Sequence, residues 1–436
     1  MASQPLTPHS AVVANLPRCA AYGVEFYPGD AERLASLEGY VVGRVRVAGN
    51  RWASVDDINA EASTASAELG GTHYTGDSDR FFSGGRHLAH GQALVGLERN
   101  HPGDMVLMAG ASLLPAGYTL LLVGQMLLSA VASIALWDAG NRLGSSSAGL
   151  VAALAFGLNP EVWRYNETLQ TESVYASLIA MLLWSVVWAS GRGGGRTFLL
   201  SFGVAILLAS LRQQGWMMPP AVALLFIPPK VRVLPRVALM ASVLVLAALA
   251  LVASPFGKAN TDRQSPASKL AAGQIYADTV RPRVPIPPTD VRDLGFKGVA
   301  QIALEYPAES LHVAAWRVAA SVVHIRPSRF PLHRNIGDAL YLLAIYTASA
   351  ISLRRQWHLL VVRFASAVIV LHLTFIAITW EDYYGRFQSY YLPALCLLAG
   401  LSLLRRRGDP DRVASPPEST AHGLPTKTPN PLGDAE

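Results

Sequence analysis

Nine apolar stretches separated by short polar segments fill most of the chain between about Gly117 and Leu404. An apolar run of about 20 residues crosses the roughly 30 Å of bilayer hydrocarbon as an α-helix. Three of the runs are short for this purpose, but the set as a whole predicts an all-α polytopic membrane protein with about nine transmembrane helices. The stretches are Gly117–Asp138, Ser146–Pro160, Thr171–Ser190, Thr197–Leu211, Gly215–Pro229, Pro235–Pro255, Ile336–Leu353, Leu359–Trp380 and Ser389–Leu404.

The charged residues of the loops predict how these helices are oriented. The chain is 51% hydrophobic and 15% charged, with a net charge of +6. Its basic residues concentrate in alternate loops, which the positive-inside rule assigns to the cytoplasm. They are Arg142, Arg192, Arg196, Lys230, Arg232, Arg236, Arg354, Arg355, Arg405, Arg406 and Arg407. We therefore expect a multi-pass protein of the plasma (inner) membrane with a cytoplasmic C-terminus, and no nucleic-acid partner.

The N-terminal segment conflicts with this topology. Nine spans that end in a cytoplasmic tail place the N-terminus outside, yet residues 1–76 contain no signal peptide that would export them. Either a first transmembrane helix is missing from this reading frame, which we favour, or one weak segment is miscounted. The expected organisation is a polar segment at 1–74, a membrane-embedded domain at 75–407 and a disordered tail at 408–436.

Four polar regions are expected to share the external face. They are residues 1–116, Glu161–Gln170, Gly257–Asn335 and Glu381–Gln388. The long third region contains a proline-rich stretch that cannot be helical. Two helical segments follow, Gly298–Tyr306 and Ala308–Ile325, and the mixed pattern of the second predicts an interfacial helix on the membrane surface.

Chemically capable residues form four clusters on this face. They are Thr75–Phe82 leading into Gly84–Gly91, Tyr165–Glu172, Arg212–Gly215 and Glu381–Phe387. The histidines and the two cysteines, Cys19 and Cys396, have no metal-ligand spacing, so no metal ligand is predicted. The absence of paired broken helices in the two halves weighs against a secondary transporter.

Together these clusters resemble the integral-membrane glycosyltransferases of the GT-C class, in particular the bacterial relatives of protein O-mannosyltransferases and of the lipid A aminoarabinose transferase. The family's acidic pair, its aromatic residue and its Ala-Arg-x-Leu-x-x-Gly helix compare with Asp77-Ser78, Phe81 and Gly85–Gly91. A Pro-Pro-Gly-Tyr-Pro segment compares with His101–Met105 in degraded form. In this family a transmembrane helix precedes the acidic pair.

Further elements of the family follow in the same order along the chain. A Leu-x-Thr-Glu element compares with Leu169–Glu172, and a Leu-Thr-Arg-Pro-x-Gly element with Leu211–Gly215, without its proline. Tyr306–Glu309, with Arg317 on the next helix, compares with an Asn-Pro-x-x-Tyr stretch. An arginine-aromatic pair before the last helix compares with Arg386-Phe387.

The resemblance implies transfer of a sugar from a polyprenyl-phosphate carrier to an extracytoplasmic glycan, lipid or protein acceptor, with inversion. Asp77 then matches the catalytic base, and Glu172 matches a second catalytic acid that orients the acceptor or binds a metal. Arg212 and Arg386 are the expected phosphate ligands, with Tyr384 as a further substrate-binding candidate. No cofactor is required with certainty, and a divalent metal remains an option because the family's metal dependence varies.

Structural roles for the same residues stay open. Asp77 also fits an N-cap, and Glu172 also fits an acid favoured by a helix dipole. Arg212 and Arg386 can snorkel to lipid headgroups. We expect the aromatic residues to form an interfacial belt rather than a sugar platform; they are Trp163, Trp216, Trp380, Tyr383, Tyr384, Tyr390 and Tyr391. The alternative functions are a non-enzymatic transporter or flippase of lipid-linked glycans and an inactive, truncated family member.

Overall fold

The structure is a computed structural model, and it describes eleven segments of the chain. They are residues 44–47, 51–54, 78–94, 101–143, 145–192, 195–226, 266–275, 284–287, 295–323, 332–379 and 386–404. Asp77, Tyr384, the predicted span Pro235–Pro255 and the tail at 408–436 lie outside the described residues.

Helices account for nearly all of the described structure. The exception is a small antiparallel hairpin of β1 (Arg44–Val47) and β2 (Arg51–Ser54), in which Arg44 pairs with Ser54. The helices are α1 (Ser78–Ala89), α2 (Pro102–Ser112), α3 (Gly117–Arg142), α4 (Ser146–Gly157), α5 (Pro160–Asn166), α6 (Thr171–Arg192), α7 (Gly195–Leu211), α8 (Met218–Leu225), α9 (Pro266–Ala271), α10 (Phe296–Glu305), α11 (Pro307–Val323), α12 (Leu332–Gln356), α13 (Leu360–Ile378) and α14 (Gln388–Leu401). A short 3₁₀ helix, Gln213–Met217, joins α7 to α8.

Four helices among the described residues are long and apolar enough to cross a membrane. They are α3, the Thr171–Ser190 part of α6, α12 and α13. The chain is therefore a helical membrane protein, and four of the nine predicted spans are supported. Leu120, Leu127 and Ile134 give α3 an exposed apolar stripe at seven-residue spacing, as expected of a surface that faces lipid.

The other predicted spans that the structure describes are shorter than these four helices or are not single helices. Helices α4, α7 and α14 have 12, 17 and 14 residues, and at 1.5 Å per residue even the longest extends about 25 Å. The stretch Gly215–Pro229 is not one helix, because Pro219 and Pro220 can stand only in the first turn of α8.

Helix α14 occupies the centre of the bundle. All of its residues are buried, although Pro393 lies inside it. Glycine permits the close approach of its neighbour α4, because a Cβ on Gly400 would come within 2.2 Å of the Ala148 carbonyl oxygen. The large apolar cluster around α14 draws on α3, α4, α6, α7, α12 and α13. This rigid centre fixes where the N-terminal end of α14 lies.

Two successive helices, α10 and α11, lie in the external region predicted at Gly257–Asn335, and α11 begins at Pro307. Their bounds are close to the predicted segments Gly298–Tyr306 and Ala308–Ile325. Leu304, Leu311 and Trp316 are exposed on them, as expected for interfacial helices. Arg317 of α11 is fully buried and donates to the carbonyl oxygens of Ala377 and Ile378 at 3.1 Å. These carbonyls end α13, so Arg317 caps that helix rather than facing the membrane surface.

Candidate functional site

Four helix ends meet at one end of the bundle. They are the beginnings of α2, α6 and α14 and the end of α7. His101, just before α2, donates from Nδ1 to the carbonyl oxygen of Leu211, the last residue of α7, at 3.0 Å. Gly103 packs so closely against α7 that a Cβ there would lie 2.6 Å from the Ser210 hydroxyl oxygen. The polar side chains of these ends therefore point into a shared volume.

The carboxylate of Glu172, in the first turn of α6, is the centre of this group. It is fully buried, and its Oε1 accepts a hydrogen bond from Nη2 of Arg212. The hydroxyl of Tyr390 also donates to Oε1 at 3.2 Å, and Nε of Arg386 lies 3.3 Å from it. One carboxylate oxygen thus holds two guanidinium groups and a phenol together, which is a favourable arrangement for a charge removed from water.

Arg212 owes its position to the end of α7. Its backbone is extended, with φ −144° and ψ 148°, so the chain leaves the helix there before the 3₁₀ turn. Its guanidinium carbon lies 5.8 Å from the centre of the Tyr390 ring. Burial lowers the pKa of Arg212, but Glu172 and Tyr390 oppose that effect, and the net pKa is raised. The side chain is a permanent buried cation.

Asp104, in the first turn of α2, is a second buried acid beside Arg212. It is 1% exposed, and neither carboxyl oxygen has a hydrogen-bond partner among the described residues. Its Oδ2 lies 3.7 Å from Nδ1 of His101. Burial raises the pKa of Asp104 well above its ordinary value, Arg212 opposes the shift, and Glu172 adds to it. This carboxyl group is therefore more easily protonated than an exposed aspartate.

Part of the predicted site is therefore assembled. Glu172, Arg212 and Arg386 come together, while Asp77 and Tyr384 lie outside the described residues. Sequence reasoning missed Asp104, because a contact between the start of α2 and the distant end of α7 places it in the site.

The prediction of an interfacial aromatic belt was wrong for Tyr390 and Tyr391. Tyr390 and Tyr391 are 1% exposed, so they belong to the interior of the bundle. Tyr390 contributes its hydroxyl to the site, whereas the hydroxyl of Tyr391 pairs with Ser321. Trp163 is largely exposed, which is consistent with a place in such a belt.

Buried aromatic side chains of Tyr175 and His372 pack against Tyr390 and hold it in position. The ring of Tyr175 packs edge-on against Tyr390, with centroids 4.9 Å apart. Nδ1 of His372 lies 2.7 Å from the Val368 carbonyl oxygen, which can only accept, so this nitrogen carries the hydrogen. The Tyr175 hydroxyl then donates to Nε2 of the neutral ring at 3.1 Å. These side chains fix the Tyr390 ring, and with it the hydroxyl that reaches Glu172.

The arrangement is suited to an anionic ligand. Two arginines face one end of the bundle, and Nε of Arg212 has no hydrogen-bond partner among the described residues. Guanidinium groups of this kind bind phosphate or carboxylate oxygens. The described residues contain no group of three or more His, Cys, Asp or Glu side chains that could hold a metal ion. Comparison with protein-family models, curated proteins and solved structures gave no match.

Proposed function

We propose that this protein is a membrane glycosyltransferase that uses a polyprenyl-phosphate sugar as donor. The observation that carries the proposal is the convergence of Arg212 and Arg386 on buried Glu172 at one end of a membrane helical bundle. A lipid-linked phosphate needs cations near the bilayer surface and an apolar path for its chain. This bundle offers the first at its helix ends and the second along exposed apolar faces such as that of α3.

In this proposal, Arg212 and Arg386 hold the phosphate and stabilise the charge that develops on it as it leaves. Glu172 keeps the two guanidinium groups together, so its role is to organise the phosphate site rather than to meet the acceptor. Tyr384 stays a substrate-binding candidate on the strength of the resemblance. The wider architecture, with about nine spans and an extracytoplasmic site at the inner membrane, belongs to the same proposal.

The transfer is a single displacement. The acceptor hydroxyl oxygen forms a bond to the anomeric carbon while the bond from that carbon to the phosphate oxygen breaks, and its electron pair stays on the phosphate. Asp77, the residue that matches the family's base, takes the hydroxyl proton. The anomeric configuration is inverted, and no covalent sugar–enzyme intermediate forms. A divalent metal would help to neutralise the phosphate, but the proposal does not require one.

The test is sugar transfer in a membrane preparation with a radiolabelled polyprenyl-phosphate sugar. Asp77→Asn should lower transfer by about 100-fold or more, because general base catalysis contributes about that much. Glu305→Gln, the same carboxyl-to-amide change on an exposed side chain of α10, is the control. Undiminished transfer by the Asp77 variant would exclude it as the base. Movement of the intact donor across a liposome bilayer without bond cleavage would instead favour the transporter alternative.

A further inference from the structure

The two buried acids of the site differ in what holds them. Glu172 Oε1 is engaged by Arg212, Arg386 and Tyr390. Asp104 is as deeply buried, yet neither of its oxygens has a hydrogen-bond partner among the described residues. Leaving a polar group unsatisfied in the interior costs free energy, and a charged group costs more. A ligand that supplies hydrogen-bond donors to Asp104 would recover that cost.

The position of Asp104 is fixed rather than adaptable. The His101–Leu211 hydrogen bond and the close packing of Gly103 on Ser210 hold the first turn of α2 against the last turn of α7. Arg212 follows directly after that turn, and it interacts electrostatically with Asp104. Asp104 is therefore held beside the guanidinium that we assign to the donor phosphate.

The charge of Asp104 determines which part of the polyprenyl-phosphate sugar it can contact. The positive charge of neighbouring Arg212 favours the ionised form of Asp104, and an ionised carboxylate repels a phosphate oxygen but accepts hydrogen bonds from hydroxyl groups. In a polyprenyl-phosphate sugar, the anomeric carbon is bonded to a phosphate oxygen, so the sugar ring lies next to the phosphate. A carboxylate beside the phosphate ligand is thus placed at the ring rather than at the lipid chain.

We propose that Asp104 binds the sugar of the lipid-linked donor by accepting hydrogen bonds from its ring hydroxyl groups. This inference rests on the proposed function and adds a specificity-determining residue to it. Asp104 stands where the segment Pro-Pro-Gly-Tyr-Pro of the family that the chain resembles has an aromatic residue. The substrate class that it selects is a neutral hexose or pentose with free hydroxyl groups near the anomeric carbon.

The test is equilibrium binding to the full chain in nanodiscs, with no turnover required. The probes are undecaprenyl phosphate and the same lipid phosphate carrying mannose, glucose or arabinose. The wild-type protein should bind at least one glycosylated probe about tenfold more tightly than the bare phosphate, the factor expected for hydrogen bonds to a charged group. Asp104→Asn should abolish that advantage, and its affinity for the bare phosphate should be unchanged or higher. Glu305→Gln should behave as the wild type.

Binding of the bare phosphate also shows that the variant is folded. An Asp104→Asn protein that keeps the full preference for a glycosylated probe over the bare lipid phosphate overturns the inference. So does a variant that loses affinity for the glycosylated probes and the bare phosphate in parallel. Wild-type protein that binds both probes equally also overturns it, while the phosphate site of the proposed function stands. Wild-type protein that binds neither probe contradicts the proposed function itself.

Discussion

Replacing Glu172 with glutamine should destabilise the protein by an amount that the ion pairs of the site determine. The change keeps the size of the side chain and an oxygen that can accept from Tyr390, but it removes the charge. Arg212, whose side chain is 6% exposed, then loses its counter-ion in the interior. Breaking a buried pair in this way costs about 3–5 kcal/mol. We expect the lower end, about 3 kcal/mol, because Arg386 is partly exposed at 20% and can reach water.

Thermal unfolding in detergent, followed by intrinsic fluorescence, measures this effect. At about 2.1 cal/mol/K of unfolding entropy per residue, 1 kcal/mol shifts the Tm of this chain by about 1 °C, so the Tm should fall by roughly 3 °C. The double variant Glu172→Gln/Arg212→Gln removes the stranded cation together with its partner. It should therefore unfold at a higher temperature than the sum of the two single changes predicts, with a coupling of about 1–3 kcal/mol. Glu305→Gln, at an exposed position, should change stability by less than about 0.5 kcal/mol.

Two results would refute this reasoning. A Glu172→Gln Tm within about 1 °C of the wild type would mean that the charge is not buried between the arginines. Strict additivity of the two single changes would mean that Glu172 and Arg212 do not interact.

Two further predictions concern α2. Asp104→Leu should stabilise the protein by about 1–3 kcal/mol while lowering sugar transfer, because it removes an unsatisfied buried polar group. Since burial raises the pKa of Asp104 above 3.8, the folded protein binds this proton more tightly than the unfolded chain. Wild-type stability should then fall as the pH rises from about 4 through the raised pKa, and the leucine variant should lack that loss; equal pH profiles would contradict it. Gly103→Ala should lower both Tm and transfer, because its Cβ would collide with Ser210 and displace Asp104. Gly110→Ala on the same helix, with no atom within 4 Å of its Cβ, should be neutral or slightly stabilising, and the same effect from both alanines would be evidence against the packing argument.

The convergence of Glu172, Arg212 and Arg386 could be anticipated from the sequence. Each residue lies at an end of an apolar stretch, and the alternation of basic loops assigned those ends to one side of the membrane. Helix ends on the same side of a small bundle are close in space, so opposite charges there can pair. The order of the motifs gave the same expectation.

Asp104 and Tyr390 could not be found by the same reasoning. Asp104 is buried because α2 packs against the end of α7, more than 100 residues further along the chain, and no local pattern encodes that contact. Tyr390 lies in the first turn of α14, and other helices surround α14 on all sides. Its ring therefore faces protein instead of the membrane interface. Four of the nine predicted spans are long enough to cross a membrane, and apolar composition alone did not show that α14 is only 14 residues long and buried along its whole length.

Binding of undecaprenyl phosphate to Arg386→Gln tests the central claim most directly. Arg386 is the more exposed of the two arginines, so its loss should leave the fold intact. The wild-type protein in nanodiscs should bind the lipid phosphate, and Arg386→Gln should bind it about tenfold or more weakly, because a charge-assisted contact is lost. Arg334→Gln, which removes an arginine paired with Glu161 at 2.7 Å elsewhere on the bundle, should bind as the wild type does. Equal affinity of wild type and Arg386→Gln would contradict the phosphate site on which the proposed sugar transfer depends.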